Sequence, residues 1–162
     1  MFRIGFGFDV HGFEKNSLLV IGGVKIPYSK GLQGHSDADV LLHAIIDSFL
    51  GALCQKDIGT HFPDNDENYA NISSMVLLEK VWSLVLQKGY NLVNLDTTII
   101  AQEPKISPYI DSMVCNIAKC LNVALNKINI KATTTEYLGF VGRKEGIAAC
   151  AITLISKGVA GG

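Results

Sequence analysis

Acidic and imidazole side chains recur at a regular spacing within one otherwise apolar stretch. Asp39, His43 and Asp47 are four residues apart, and on an α-helix this spacing places side chains along one slowly drifting face. Carboxylates and imidazoles can hold a metal or transfer protons, so this stripe is a candidate site. A capped helix with one partly buried histidine is the alternative interpretation.

The residues just before the stripe predict an anion-binding position. We expect Ser36 or Asp37 to be the N-cap of a helix over about 38–53. His35 would then lie at the helix N-terminus, where free N–H groups and the positive end of the helix dipole favour anions.

A second pair of potential ligands lies near the N-terminus. Residues 2–11 are predicted to form a strand, in which Asp9 and His11 point to the same side. An Asp-x-His pair can hold a metal, although such a pair on its own more often is a surface pair or a turn signal before Gly12. Together with His43 it would provide three ligands and an open fourth position, which is typical of catalytic zinc. The same donors accept Mn²⁺ or Co²⁺.

Two other segments are rich in oxygen-bearing side chains. The stretch from Lys56 to Asp66 is predicted to be a loop dense in carboxylates, Gly and Pro, and such loops commonly carry sites. The run Thr133-Thr134-Thr135-Glu136 follows a predicted strand. Its hydroxyls and carboxylate suit phosphate and Mg²⁺, and a structural turn is the other possibility. Residues 139–143 are expected to form a flexible loop with one cation.

The elements that must position these residues follow from hydrophobic periodicity and turn signals. After the first strand we expect a hairpin around Gly22-Gly23, the helix over 38–53, a helix from Asn71 or Ser73 to about Lys88, a strand over 92–101, a helix over 108–121, and strands near 128–133 and 146–156. This order predicts one α/β (α+β-like) domain over 1–157, with a mixed sheet covered by helices on one face. Residues 158–162 are expected to be a disordered tail.

The composition indicates self-association. Of the 162 residues, 48% are hydrophobic and only 18% are charged, so we expect apolar surface, including the uncovered sheet face, to form an oligomer interface. The net charge of −1 predicts no nucleic-acid or membrane-surface partner.

The remaining sequence features concern location and cysteine chemistry. Cys54, Cys115, Cys120 and Cys150 have neither C-x-x-C nor zinc-finger spacing, so we expect buried free thiols in a reducing compartment. We find no signal-peptide pattern and no run of 18 apolar residues, and therefore expect a cytoplasmic protein.

Five motifs carry a resemblance to a known family. The segments Gly5–His11, Gly34–Asp39, Asp57–Asp64, Ala101–Lys105 and Thr133–Arg143 resemble those of the 2-C-methyl-D-erythritol 2,4-cyclodiphosphate synthase family in order and spacing, over about residues 2–156. The family normally has Gly at the position of Ala38, and residues 106 and 107 vary. The resemblance implies a homotrimer with active sites between subunits and an apolar central cavity.

The resemblance also implies a reaction. Such an enzyme is a phosphorus–oxygen lyase of the non-mevalonate isoprenoid precursor pathway. It converts 4-diphosphocytidyl-2-C-methyl-D-erythritol 2-phosphate to 2-C-methyl-D-erythritol 2,4-cyclodiphosphate and releases CMP. The 2-phosphate of the substrate attacks the β-phosphorus of the diphosphate in the same molecule.

Residue roles are carried over from the family motif by motif. Asp9, His11 and His43 would hold zinc, and Glu136 would hold Mg²⁺ or Mn²⁺ at the diphosphate. The hydrogen-bonding residues expected at the reacting phosphates are His35, Ser36 and Thr134. The other substrate-binding residues implied are Asp57, Gly59, Phe62, Asp64 and Asp66 at the methylerythritol end, Ala101, Lys105, Ser107, Thr133 and Thr135 around the cytidine diphosphate, and Phe140 and Arg143 towards the trimer cavity.

The predicted site contains more carboxylates than cations, which argues for divalent ions. A polyanionic substrate would need metal ions to neutralise the phosphoryl group, and no protein nucleophile is required. Two other functions remain open. One is a zinc hydrolase with Asp39 or Asp47 as general base, and the other is a cytidine nucleotide-binding module that uses metal only structurally.

Overall fold

A five-stranded mixed sheet with helices on one face carries the fold. The computed structural model describes residues 1–63 and 72–157. Their elements are β1 (Phe2–Lys15), β2 (Leu19–Ile21), β3 (Val24–Ile26), β4 (Lys30–Leu32), α1 (Val40–Ala52), α2 (Ile58–His61), α3 (Ser74–Gln87), β5 (Tyr90–Ile100), α4 (Ile110–Leu121), β6 (Ile128–Thr133), α5 (Gly139–Gly142) and β7 (Gly146–Lys157).

The strand order in the sheet is β4-β1-β7-β5-β6. The β5–β6 pair is parallel, whereas β1 pairs antiparallel with β4 and β7, and β5 antiparallel with β7. The β2–β3 hairpin stands apart from this sheet and turns at Gly22-Gly23. The predicted fold class and hairpin are confirmed.

The two faces of β1 have different environments. Its odd-numbered residues lie towards α1, which packs on β1 and β7. The even-numbered residues in its first ten positions are exposed although all five are apolar, namely Phe2, Ile4, Phe6, Phe8 and Val10. The expectation that helices cover one face is confirmed, and cover of the other face by self-association stays a prediction.

Helix α1 lies directly on the backbone of β1. A Cβ atom added to Gly5 would be 1.8 Å from the Ser48 carbonyl oxygen, and one added to Gly7 would be 1.9 Å from the Ala44 carbonyl oxygen. Any side chain at either position would therefore push the helix away from the strand. Glycine at both positions allows the close approach.

Asp39 begins α1 and holds the hairpin against it. Its Oδ1 accepts hydrogen bonds from the backbone N–H of Leu42 at 3.1 Å and of Gly22 at 2.9 Å, and its Oδ2 accepts from Gly23 N–H at 2.8 Å. Burial raises the pKa of Asp39 to about 6, although these three N–H groups oppose the rise. The prediction of Ser36 or Asp37 as N-cap was wrong, and the extended backbone of Asp39 directs its side chain to the hairpin.

Three more predictions were wrong. Residues 58–61, within the predicted loop from Lys56 to Asp66, form the short helix α2. Residues 139–142 form the helical turn α5 rather than a flexible loop. The cysteines are free but not buried, since Cys54 and Cys115 are exposed and Cys120 and Cys150 are half-buried. On α4 the buried side is formed by Met113, Ile117 and Leu121, whose spacing turns Cys115 outward.

Some predictions fall on residues that the structure does not describe. They concern Asp64, Asp66, the proposed cap Asn71, and the tail 158–162. Among the described helices, none is long and apolar enough to cross a membrane.

The close contact between α1 and β1 predicts that Gly7→Ala destabilises the fold. The new methyl group would overlap the Ala44 carbonyl, so we expect a loss of about 1–3 kcal/mol in the free energy of unfolding, measured by urea denaturation. Gly51→Ala is the matched control because its Cβ would lie 3.6 Å from the nearest atom, the Phe6 carbonyl oxygen. It should stabilise α1 by a few tenths to about 1 kcal/mol. Equal unfolding midpoints for the two variants would contradict this account.

Candidate functional site

Two histidines and one aspartate converge where the C-terminal half of β1 meets α1. Asp9 Oδ2 lies 2.9 Å from His11 Nε2 and 3.0 Å from His43 Nδ1, and the two ring nitrogens are 3.0 Å apart. The side chains of Asp9, His11 and His43 are 26%, 18% and 12% exposed. Their ligand atoms form a compact group that fits a divalent metal.

The charges within this cluster favour an ionised carboxylate. Burial alone would raise the pKa of Asp9, but its contacts with His11 and His43 outweigh burial and hold that pKa well below its usual range. For His11 the directions are reversed: burial alone would lower its pKa, but the contact with Asp9 outweighs burial and raises that pKa. The carboxylate is thus in the form that binds a cation.

The second nitrogen of each imidazole also has a partner. His11 Nδ1 is 2.7 Å from the Gln33 carbonyl oxygen, which can only accept, so in the neutral imidazole that binds a metal Nδ1 carries the hydrogen and Nε2 has the lone pair. His43 Nε2 is 2.9 Å from Ser74 Oγ and 3.2 Å from Ser36 Oγ. Such partners orient histidine ligands in metal sites.

A cavity of about 250 Å³ adjoins the cluster. Its lining includes seven predicted site residues, namely Asp9, His11, His35, Ser36, His43, Gly59 and Phe62. The apolar part of the lining includes Ile58, Pro63, Ile72 and Leu77. This combination of polar groups at one end and apolar walls is typical of a small-molecule site.

His35 lines the cavity, but it is not positioned there by a helix N-terminus as the sequence predicted. It lies four residues before the N-cap Asp39, so the predicted position at the helix N-terminus was wrong. Ala38 has φ of 53°, in the left-handed region where a Cβ atom is strained. Glycine, the residue that the family resemblance led us to expect there, adopts this conformation without that strain.

Helix α2 brings Gly59 to the cavity and is held by carboxylates at its N-terminus. Asp57 Oδ1 accepts hydrogen bonds from Thr60 N–H at 2.9 Å and Thr60 Oγ1 at 2.8 Å, and the Thr60 bonds lower the pKa of Asp57. Asp47 Oδ1 accepts from Ile58 N–H at 2.7 Å. Burial raises the pKa of Asp47, the Ile58 N–H opposes this, and the nearby Asp57 carboxylate adds to it.

The other predicted residues form a second group around the ends of β5 and β6. Ala101 N–H donates to the Thr133 carbonyl at 3.0 Å, and Tyr137 N–H donates to Gln102 Oε1 at 3.0 Å. Thr134 Oγ1 donates to Glu136 Oε1 at 3.1 Å. Within the described ranges, none of the predicted residues Ala101, Lys105, Ser107, Thr133, Thr134, Thr135, Glu136, Phe140 or Arg143 lines the cavity. The guanidinium of Arg143 pairs with Glu145 at 2.8 Å.

Strand register explains why these two groups are separate. Thr133 pairs with Ile100, which pairs with Ala148, which pairs with Val10. Paired residues point to the same face of a sheet, so Thr133 shares the open face with Val10 whereas His11 faces α1. Two intervening strands add a separation of about 14 Å across the sheet.

A family model described as the YgbB family matches residues 2–156. The chain belongs to the YgbB family. All five motifs lie within the matched range. The match confirms the resemblance stated from the sequence.

Curated relatives match over almost their whole length. The 2-C-methyl-D-erythritol 2,4-cyclodiphosphate synthase of Geobacillus sp. is 60% identical over 157 residues, covering 97% of this chain and 99% of the relative. The synthase of the same name from Clostridioides difficile is 60% identical over 153 residues, covering 94% of this chain and 95% of the relative.

Solved structures share the fold. The bifunctional IspDF of Campylobacter jejuni superposes with a TM-score of 0.94 at 42% identity, and the match covers 98% of this chain but 43% of that longer chain. The CDP complex of IspF from Plasmodium falciparum has a TM-score of 0.85 at 38% identity and is covered over 96% of both chains.

The position of Asp47 predicts a pH-dependent effect of removing its charge. Because its pKa is raised on folding, this carboxyl contributes stability that is fully present below the unfolded-state pKa and is lost as the pH rises through the folded-state pKa. In Asp47→Asn the amide oxygen can still accept from Ile58 N–H without ionising. We therefore expect the stability of Asp47→Asn relative to the parent to increase from about pH 4 to pH 8 in urea unfolding of the metal-free protein.

Asp47→Ala provides the control for the lost hydrogen bond. It has no acceptor for Ile58 N–H, so it should be less stable than Asp47→Asn by about 0.5–1.5 kcal/mol at every pH. Parallel pH profiles of the parent and Asp47→Asn would show that this carboxyl does not titrate differently in the folded protein.

Proposed function

We propose that this chain converts 4-diphosphocytidyl-2-C-methyl-D-erythritol 2-phosphate to 2-C-methyl-D-erythritol 2,4-cyclodiphosphate and CMP. The observation that carries the proposal is the Asp9–His11–His43 cluster beside a cavity, in a chain 60% identical to named synthases. The IspF structure in complex with CDP supports a substrate that contains a cytidine diphosphate.

The metal proposed at the cluster is zinc. Two imidazoles and one carboxylate match the three-ligand set of catalytic zinc, with Mn²⁺ and Co²⁺ as chemically acceptable substitutes. When bound, zinc would polarise a phosphate oxygen as a Lewis acid. Glu136, with Thr134 hydrogen-bonded to its carboxylate, is proposed to hold Mg²⁺ or Mn²⁺ at the diphosphate.

The roles proposed for the protein side chains are binding and orientation. His35 and Ser36, which line the cavity, would donate hydrogen bonds to phosphate oxygens, and Thr134 would do so from the second group. Gly59 and Phe62 would contact the methylerythritol phosphate, with Asp57 at the start of α2. The attacking oxygen belongs to the substrate, so the chain supplies positioning and charge stabilisation rather than a nucleophile.

The other substrate contacts keep the assignments made from the sequence. Asp64 and Asp66, outside the described residues, are proposed with the methylerythritol end. Those proposed around the cytidine diphosphate are Ala101, Lys105, Ser107, Thr133 and Thr135, while Phe140 and Arg143 are proposed to face the centre of an oligomer.

A zinc hydrolase is less well supported because its candidate bases are engaged elsewhere. Asp39 is fully buried and accepts three backbone hydrogen bonds. Asp47 accepts a hydrogen bond from Ile58 and holds α2. A general base must lie within reach of the proton that it removes, and both carboxylates serve the fold instead.

We further propose a homotrimer in which each active site combines the metal cluster of one subunit with the second group of its neighbour. Thr133 of the second group lies on the opposite face of the sheet from His11, and β1 exposes a row of apolar side chains. An interface that covers this row could bring complementary groups from different subunits together.

Product analysis tests the proposed reaction. The purified chain with Zn²⁺ and Mg²⁺ should convert the substrate to the cyclic diphosphate and CMP. The conversion would be monitored by ³¹P nuclear magnetic resonance. His43→Ala should lose its zinc by elemental analysis and at least about 10²-fold in rate. A linear hydrolysed product would indicate the hydrolase, and binding of cytidine diphosphate without turnover would indicate the binding module.

Subunit mixing tests the shared active site. His43→Ala and Glu136→Ala are each expected to be inactive, but after joint unfolding and reassembly about a quarter of the interfaces in random trimers would pair two intact halves. Activity should return to a comparable fraction of the parent. The control is His43→Ala mixed with His11→Ala, because both variants damage the same half and should stay inactive. A monomeric mass by light scattering would exclude the shared site.

A further inference from the structure

We propose that Asp37 and Ser74 are positioning residues that hold His43 in its metal-binding orientation and tautomer. The inference rests on the proposed metal site at Asp9, His11 and His43. Neither residue contacts Asp9 or His11 in the described hydrogen bonds and ion pairs, so both would act through His43.

The contacts form a chain from the imidazole to a carboxylate. Ser74 is the first residue of α3 and is fully buried. Its Oγ lies 2.9 Å from His43 Nε2 and also donates a hydrogen bond to Asp37 Oδ1. Asp37 Oδ2 accepts the backbone N–H of the same serine at 3.0 Å.

The direction of these hydrogen bonds determines which nitrogen of His43 carries the hydrogen. A carboxylate can only accept, so the hydroxyl hydrogen of Ser74 goes to Asp37. Ser74 Oγ then has only lone pairs to offer His43, and Nε2 must donate to it. In the neutral imidazole that binds a metal, the lone pair of His43 is thereby placed on Nδ1, the atom that lies 3.0 Å from Asp9 Oδ2.

Both histidines have a hydrogen-bond acceptor at the ring nitrogen that faces away from the cluster, but the two acceptors belong to different parts of the fold. For His11 a single backbone carbonyl, that of Gln33, accepts at 2.7 Å. For His43 the acceptor is a side chain that needs a partner of its own. Ser36 Oγ is a more distant alternative at 3.2 Å, and it also accepts the N–H of Ala38 at 3.2 Å.

A purely structural role does not account for the Ser74 hydroxyl. The first turn of α3 is capped by Ser73, whose Oγ accepts from Met75 N–H at 3.3 Å. The link between Asp37 and α3 is made by the Ser74 backbone N–H as well. The hydroxyl adds a second hydrogen bond to Asp37 and, beyond this structural link, the contact with His43.

The experiment measures metal affinity without substrate. Metal-free protein would be titrated with Zn²⁺ in competition with a chromophoric chelator, and the visible spectrum of the Co²⁺ form would report ligand geometry. We expect Ser74→Ala to bind Zn²⁺ about 10–100-fold more weakly. Ser73→Ala, which removes the neighbouring hydroxyl, should leave the affinity and the Co²⁺ spectrum unchanged.

Two further variants keep the test independent of folding defects. Ser74→Thr retains the hydroxyl and should recover most of the affinity. Asp37→Ala should weaken binding, and its effect should not add to that of Ser74→Ala because both changes break one chain of contacts. Circular dichroism and urea unfolding would confirm that each variant is folded.

The outcomes separate this inference from the metal site on which it rests. A parent chain that binds no Zn²⁺ would overturn the proposed metal site and this inference with it. Tight binding by the parent and equally tight binding by folded Ser74→Ala would overturn the positioning role alone. Additive losses for Asp37→Ala and Ser74→Ala would overturn the connection between these two residues.

Discussion

The candidate site depends on how closely helix α1 approaches strand β1. Gly5 and Gly7 leave no room for a Cβ atom beneath the Ser48 and Ala44 carbonyls, and His43 precedes Ala44 by one residue on the same helix. Metal ligands tolerate errors of only about 0.2 Å in bond length. A helix displaced by one methyl group would move His43 further than that from Asp9 and His11. The glycines therefore set the ligand geometry although they bind nothing.

The sequence predicted local structure better than tertiary contacts. Hydrophobic periodicity indicated the helices and strands because burial of one face dictates it, and the alternation in β1 correctly placed Asp9 and His11 on one side. Periodicity could not show where each polar group of the 39–43–47 stripe finds its partner. Asp39 turns to the hairpin and Asp47 to α2, whereas His43 alone joins the cluster.

Contacts between distant segments could not be predicted either, because periodicity describes one segment at a time. Ser74 meets His43 only because α3 packs beside α1, and a serine at a helix start is ordinarily explained as a cap. His35 lines the cavity without the helix N-terminus that was expected to place it there. Its position follows from the irregular backbone before Asp39, which no pattern of residue types encodes in a simple way.

The segment from Gly34 to Asp39 is held in place by contacts within the protein itself. Asp39 ties it to the hairpin, Asp37 ties it to α3, and Ser36 accepts the N–H of Ala38. These contacts hold Ala38 in its left-handed conformation. The conformational entropy of this segment is therefore lost on folding rather than on binding. Since free and ligand-bound forms with this backbone carry the same strain, the strain lowers fold stability and leaves affinity untouched.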